Sequence, residues 1–227
     1  MTFGMTLGMT FGRRERLIAS ADLRHCFSLR RVPVYGALAA AGVLLIVQRG
    51  DLPPLIVVCA TALCALERQF NSIFSRTPGE LAALTLLPIE WEGVVVAKNL
   101  ATAAAVPPVF LALASVMLYF SPRPADLPGA VDALEYLWSV LFTLLIIGNL
   151  RSAQDPRVAA RETSDAFLQA GGMILVLIVC SLPYIVFHVL GGNSAGALLT
   201  GGVGGLYWLR RSIPATARTA RTYFQRP

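Results

Sequence analysis

The sequence predicts an all-α membrane protein of six transmembrane helices with both termini in the cytoplasm. Two observations predict it. The first is six apolar stretches, at about residues 32–48, 52–69, 99–120, 132–150, 166–189 and 194–209. A crossing helix takes about 20 apolar residues, with about 17 as a lower limit. The second is the distribution of positive charge. When the gaps between the stretches are assigned to alternate sides, 17 of the 19 Lys and Arg residues fall on the side of the termini. The opposite side holds only Arg49 and Arg123. Short loops rich in Lys and Arg stay in the cytoplasm, so this bias sets the orientation.

The N-terminal segment, residues 1–31, opens with MTFGMTLGMTFG, which lacks the charged start and long apolar core of a cleavable signal peptide. Residues 13–31 mix arginines with Leu17, Ile18, Leu23, Phe27 and Leu29. That mixture predicts a helix lying in the interface before the first span. Pro33 suits the start of that span, and Gly50-Asp51-Leu52-Pro53-Pro54 a tight outer turn after it. The second span is the shortest, with its apolar run closing at Glu67 and Arg68. Without it, every later loop would change sides and the charge asymmetry would vanish.

Residues 70–98 form the long cytoplasmic connection to the third span. Thr77-Pro78-Gly79-Glu80 has the form of a helix start. A short amphipathic helix follows to Leu87, Pro88 breaks it, and a second helix begins near Ile89 and runs into span three. Pro107-Pro108 predicts a kink or break within that span. Three prolines stiffen the outer loop SPRPADLPGA, and Pro183 lies in span five. In span six, Gly192, Gly196, Thr200 and Gly204 recur every four residues, with Gly201 and Gly205 as a second pair. Small residues at that spacing let helices approach closely in lipid. Residues 32–209 thus form one transmembrane domain, followed by a basic cytoplasmic tail, 210–227.

Composition agrees: 56% of residues are hydrophobic and the mean hydropathy is +0.64. The net charge of +6 does not imply nucleic acid, since the arginines are not interleaved with stacking aromatics. A basic inner face suits anionic lipid headgroups instead. Cys26, Cys59, Cys64 and Cys180 are scattered and form no C-x-x-C; they read as small hydrophobes. His25 and His188 stand apart in the sequence, so no metal site is expected. Gly192-Asn193-Ser194-Ala195-Gly196 fits G-x-S-x-G, but a nucleophile elbow needs a strand–turn–helix context. The spans hold little internal charge, with Glu67, Lys98 and Glu135 at their ends. The chain carries no G-x-x-x-x-G-K-[ST] and so no P-loop of its own. Neither catalysis nor a bound cofactor is expected.

One ordered series of residues points to a family. Glu67-Arg68-Gln69-Phe70-Asn71-Ser72, Gly79, Leu84-Thr85-Leu86-Leu87-Pro88-Ile89 and Ala97-Lys98-Asn99-Leu100 resemble the loop after the second helix of type-2 ABC (ATP-binding cassette) exporter permeases. Gly148-Asn149-Leu150-Arg151-Ser152 with Pro156-Arg157 resembles a motif of some bacterial members. The short turn between spans five and six departs from relatives with re-entrant helices there. The resemblance implies a permease subunit of the bacterial inner membrane, paired with a second copy or a paralogous permease. A separate ATPase would hold ATP and Mg. It further implies that Thr77, Pro78, Gly79, Glu80, Leu84, Leu87, Pro88, Ile89, Glu90 and Trp91 dock on that ATPase, with Trp91 as an aromatic anchor. Glu67, Arg68 and Lys98 would hold the loop to the helix ends. The alternative is an ATP-independent six-helix transporter or channel.

Overall fold

The computed structural model describes residues 13–28, 31–48, 53–66, 70, 90–122, 126–154, 178–186, 188–189 and 194–224. Among them there are helices and turns but no strand. The helices are α1 (Arg13–Cys26), α2 (Val32–Gln48), α3 (Pro54–Ala65), α4 (Trp91–Met117), α5 (Leu127–Gln154), α6 (described at 178–186 and 188–189) and α7 (Ser194–Phe224).

Local chemistry sets several of the ends. Pro54 occupies the first position of α3, where its missing N–H costs nothing. At the other end the Leu66 N–H is shared between the Ala62 and Leu63 carbonyls, both at 3.2 Å. Glu90 is extended at the start of α4, and Glu92 in the first turn faces the positive end of the helix dipole. The Asp126 carboxylate caps α5 by accepting the Gly129 N–H at 2.9 Å. Inside the apolar helices, Thr61, Thr102 and Thr143 donate to carbonyls four residues back, at 2.7, 2.9 and 2.8 Å. Each hydroxyl is thereby satisfied without a partner helix.

Two of these helices, α4 and the Leu127–Leu150 part of α5, are long and apolar enough to cross a membrane. The bounds of α2 coincide with the first expected span. The other boundaries move. Helix α3 has 12 residues, a rise of about 18 Å, shorter than the expected 52–69 and short of a hydrocarbon core about 30 Å thick. Helix α4 starts at Trp91 and passes Pro107 and Pro108 without a break, where a kink or a break was expected. Helix α7 does not stop at 209. It runs 31 residues through Pro214 and most of the basic tail.

Helix α3 sits between α4 and α5, which scarcely touch each other directly. Helix α2 packs on α3 and α4, α1 packs along α4, and α7 lies mainly along α5 with a lesser contact to α4. The core is drawn from α3 (Val58, Cys59, Leu63), α4 (Ala105, Val109, Met117) and α5 (Val140, Leu141, Leu145). Cys59 Sγ lies 3.5 Å from the Ala133 carbonyl, and Phe70 lies against Gly148, so α3 and α5 run parallel. Ser181 meets Tyr136 and His188 meets Glu135, so α6 runs antiparallel to α5.

Glycine positions locate the closest approaches. At Gly148 any Cβ would collide with the Phe70 backbone carbonyl, which cannot swing aside. At Gly205 a Cβ would meet the Phe142 ring within 3 Å. In the four-residue series, a Cβ at Gly204 would meet nothing within 4 Å among the described residues, while Gly205, of the second pair, presses on α5. Gly192 lies outside the described residues. Gly196 and Thr200 lie in α7, but their side-chain surroundings are outside the described set.

Candidate functional site

Two buried polar groups lie at opposite ends of α5. The first surrounds the start of α4. Trp91, Val94, Val95, Val96, Ala97, Lys98 and Asn99 are all buried, while Glu92 is exposed and Gly93 half-buried. Helix α1 packs along this helix. A buried lysine is expensive unless partnered, and Lys98 has a partner. Asn99 on α4 and Asn149 on α5 are also buried, and neither side-chain amide has a hydrogen-bond partner among the described residues. The connection between Phe70 and Trp91 is therefore held at both ends. Phe70 is 1% exposed against Gly148, and Trp91 is 7% exposed within the bundle.

Trp91, expected within the docking surface, is buried within the chain. Glu90, its neighbour, is exposed. Thr77, Pro78, Gly79, Glu80, Leu84, Leu87, Pro88 and Ile89 lie outside the described residues, as do Glu67 and Arg68.

The second group lies toward the start of α5. Asp132 and Glu135, three residues apart, share a helix face. Helix α6 brings His188 to them, with its Nδ1 3.6 Å from Glu135 Oε1. The Glu135 side chain is 0% exposed and the His188 side chain 47% exposed. Beyond that pairing, neither Glu135 oxygen has a hydrogen-bond partner within 3.5 Å among the described residues. The His188 ring lies 5.6 Å from Tyr184, and Tyr184 stands edge-on to Tyr136 at 5.3 Å. Tyr136 accepts a bond from Ser181 at 3.3 Å. The reading of His188 as isolated is thus overturned, and Glu135 is an internal charge with a partner. The available signal was a pair of helical spacings, Asp132 to Glu135 and Tyr184 to His188, on consecutive apolar segments.

Ser194 opens α7, and His188 turns to Glu135.

A third feature is an apolar groove of about 720 Å³ between α2 and α4, lined by Tyr35, Ala39, Val43, Pro108, Leu113 and Phe120 among others. Neither a family model, nor a curated protein, nor a solved structure matches the chain.

Proposed function

We propose that this chain is the membrane-embedded permease subunit of an ATP-driven exporter, driven by a separate ATPase that docks on the connection between α3 and α4. The observation that carries the reading is the clamped junction at that connection. A permease without its own nucleotide site must take force from a partner through a stiff element. Most of the first turns of helix α4 are buried, with α1 packed along that helix, and Phe70 is pressed on α5 at Gly148. A push on the intervening residues would reach α4 and α5 together.

Embedding in lipid is supported by what the helices leave outside. Leu44, Leu111, Trp138, Val186, Val203 and Trp208, on five different helices, are all exposed. Apolar surface spread this widely is rare on a protein surrounded by water. The charges on α7 begin only at Arg210, after 16 residues, or about 24 Å of helix. The directions of α3, α5 and α6 agree with a chain that crosses six times with both termini in the cytoplasm. Two such permeases, identical or paralogous, would enclose the pathway, with ATP and Mg held by the ATPases below.

The test is co-purification of the tagged full chain in mild detergent with ATPase activity assayed on the eluate. The expected result is an ATPase that accompanies the chain and is lost when Pro88→Ala and Glu90→Arg are introduced together. A folded chain that elutes alone would sink the proposal. A second reading, an ATP-independent transporter, is favoured by the buried Glu135 beside His188, because internal ionisable groups mark ion and proton pathways.

A further inference from the structure

The geometry points to a binding site for a divalent transition-metal ion, of the Zn²⁺ type, formed by Asp132, Glu135 and His188 between α5 and α6. Each residue offers one ligand atom, and the three atoms lie within 4.8 Å of one another. Two carboxylate oxygens and one imidazole nitrogen form a donor set that Zn²⁺ accepts, with a fourth position left to water.

The distances are close to what a shared ion needs. Ligand bonds of about 2.0–2.1 Å in a tetrahedron set neighbouring donors about 3.4 Å apart. His188 Nδ1 and Glu135 Oε1 are at 3.6 Å. Drawing in Asp132 takes an adjustment of about 1 Å, within the reach of a half-buried side chain near the start of α5.

Burial makes the case stronger than a surface cluster would. Glu135 is fully enclosed, and beyond the His188 pairing neither of its oxygens has a hydrogen-bond partner among the described residues. A buried carboxylate without hydrogen bonds is costly, and a divalent cation held by this set would meet the Glu135 carboxylate directly. The half-exposed His188 ring leaves a route in from solvent. Tyr184 packs against the His188 ring at 5.6 Å and stands edge-on to Tyr136, which accepts the Ser181 hydroxyl. The site stands independently of the permease reading, since it uses none of the residues at the α4 junction.

The test uses the full chain, stripped of metal, in detergent. Zn²⁺ binding is followed by titration calorimetry, and Co²⁺ is used as a visible-absorption probe. We expect one tight Zn²⁺ per chain and a Co²⁺ spectrum that includes a nitrogen ligand. Glu135→Gln, Asp132→Asn and His188→Gln should each weaken Zn²⁺ by at least about 10–100-fold, the range seen when even an outer partner is lost. His188→Gln, at an exposed position, should keep the metal-free melting temperature while losing the rise that Zn²⁺ gives the parent. Binding unchanged in all three variants would place the ion elsewhere, for instance at His25 and Cys26, and overturn the assignment. So would a parent that binds no Zn²⁺, which would leave a carboxylate–imidazole pair alone.

Discussion

Helices α2 and α3 are nearly indistinguishable as strings of residues, yet they occupy opposite environments. VPVYGALAAAGVLLIVQ and PLIVVCATALCA are both apolar on every face. Helix α3 buries 7 of its 12 residues, whereas α2 buries 3 of 17 and leaves Val32, Val34, Leu44, Leu45 and Val47 outside. A soluble protein would show the outer helix as amphipathic. The comparison teaches that hydropathy reports the medium and not the neighbour. Lipid is as apolar as leucine, so the central and the peripheral helix read alike.

The largest expected contrast comes from truncating matched leucines. Leu63, at 1% exposure on α3, sits in the core, and Leu63→Ala should cost about 2–5 kcal/mol, whereas Leu44→Ala, at 59% exposure on α2, should cost well under that. Thermal unfolding in detergent measures both. Equal costs would mean that α2 is covered in the native state. The next is Leu44→Arg. In lipid it should disfavour insertion by up to about 3 kcal/mol, and glycosylation-mapped insertion efficiency should fall accordingly. If the protein instead becomes more soluble without detergent, the exposed face was never in a membrane.

A smaller effect tests where the two helices meet. A Cβ at Gly42 would press on the Met117 side chain and on Thr61 Oγ1. Because Met117 can bend away, Gly42→Ala should cost only about 1 kcal/mol, at the low end of overpacking. Gly36→Ala, where a Cβ meets nothing within 4 Å, should be neutral or stabilising by up to about 1 kcal/mol. A Gly36→Ala variant as damaged as Gly42→Ala would show a second copy of the chain seated against α2.

Much of the helical layout was legible in the residues, and the departures have physical reasons. The first span was delimited by Pro33 and Arg49, and α2 keeps those limits. The sixth was cut at Arg210 because charge ends a lipid-facing run, but charge does not end a helix. Ala217 and Ala220 continue the buried face while Arg218 and Arg221 point out. Pro107 and Pro108 were expected to kink or break span three. Helix α4 runs on unbroken, with both ring positions on its exposed side. Trp91 follows a broken, charged stretch in the sequence, yet it is buried, because burial depends on tertiary contacts that the local sequence does not report. The Asp132, Glu135 and His188 set was hidden because its contacts join residues more than fifty positions apart in the chain.

The most direct test of the account is which side of the membrane holds the start of α4. In a background of Cys26→Ser, Cys59→Ala, Cys64→Ala and Cys180→Ala, single reporter cysteines at Glu90, Arg218 and Asp126 would be labelled with an impermeant maleimide in sealed inverted and right-side-out vesicles. The account predicts that positions 90 and 218 label together from the cytoplasmic side and position 126 from the opposite side. Positions 90 and 126 labelling from the same side would contradict it, because the connection between α3 and α4 could then meet no cytoplasmic ATPase.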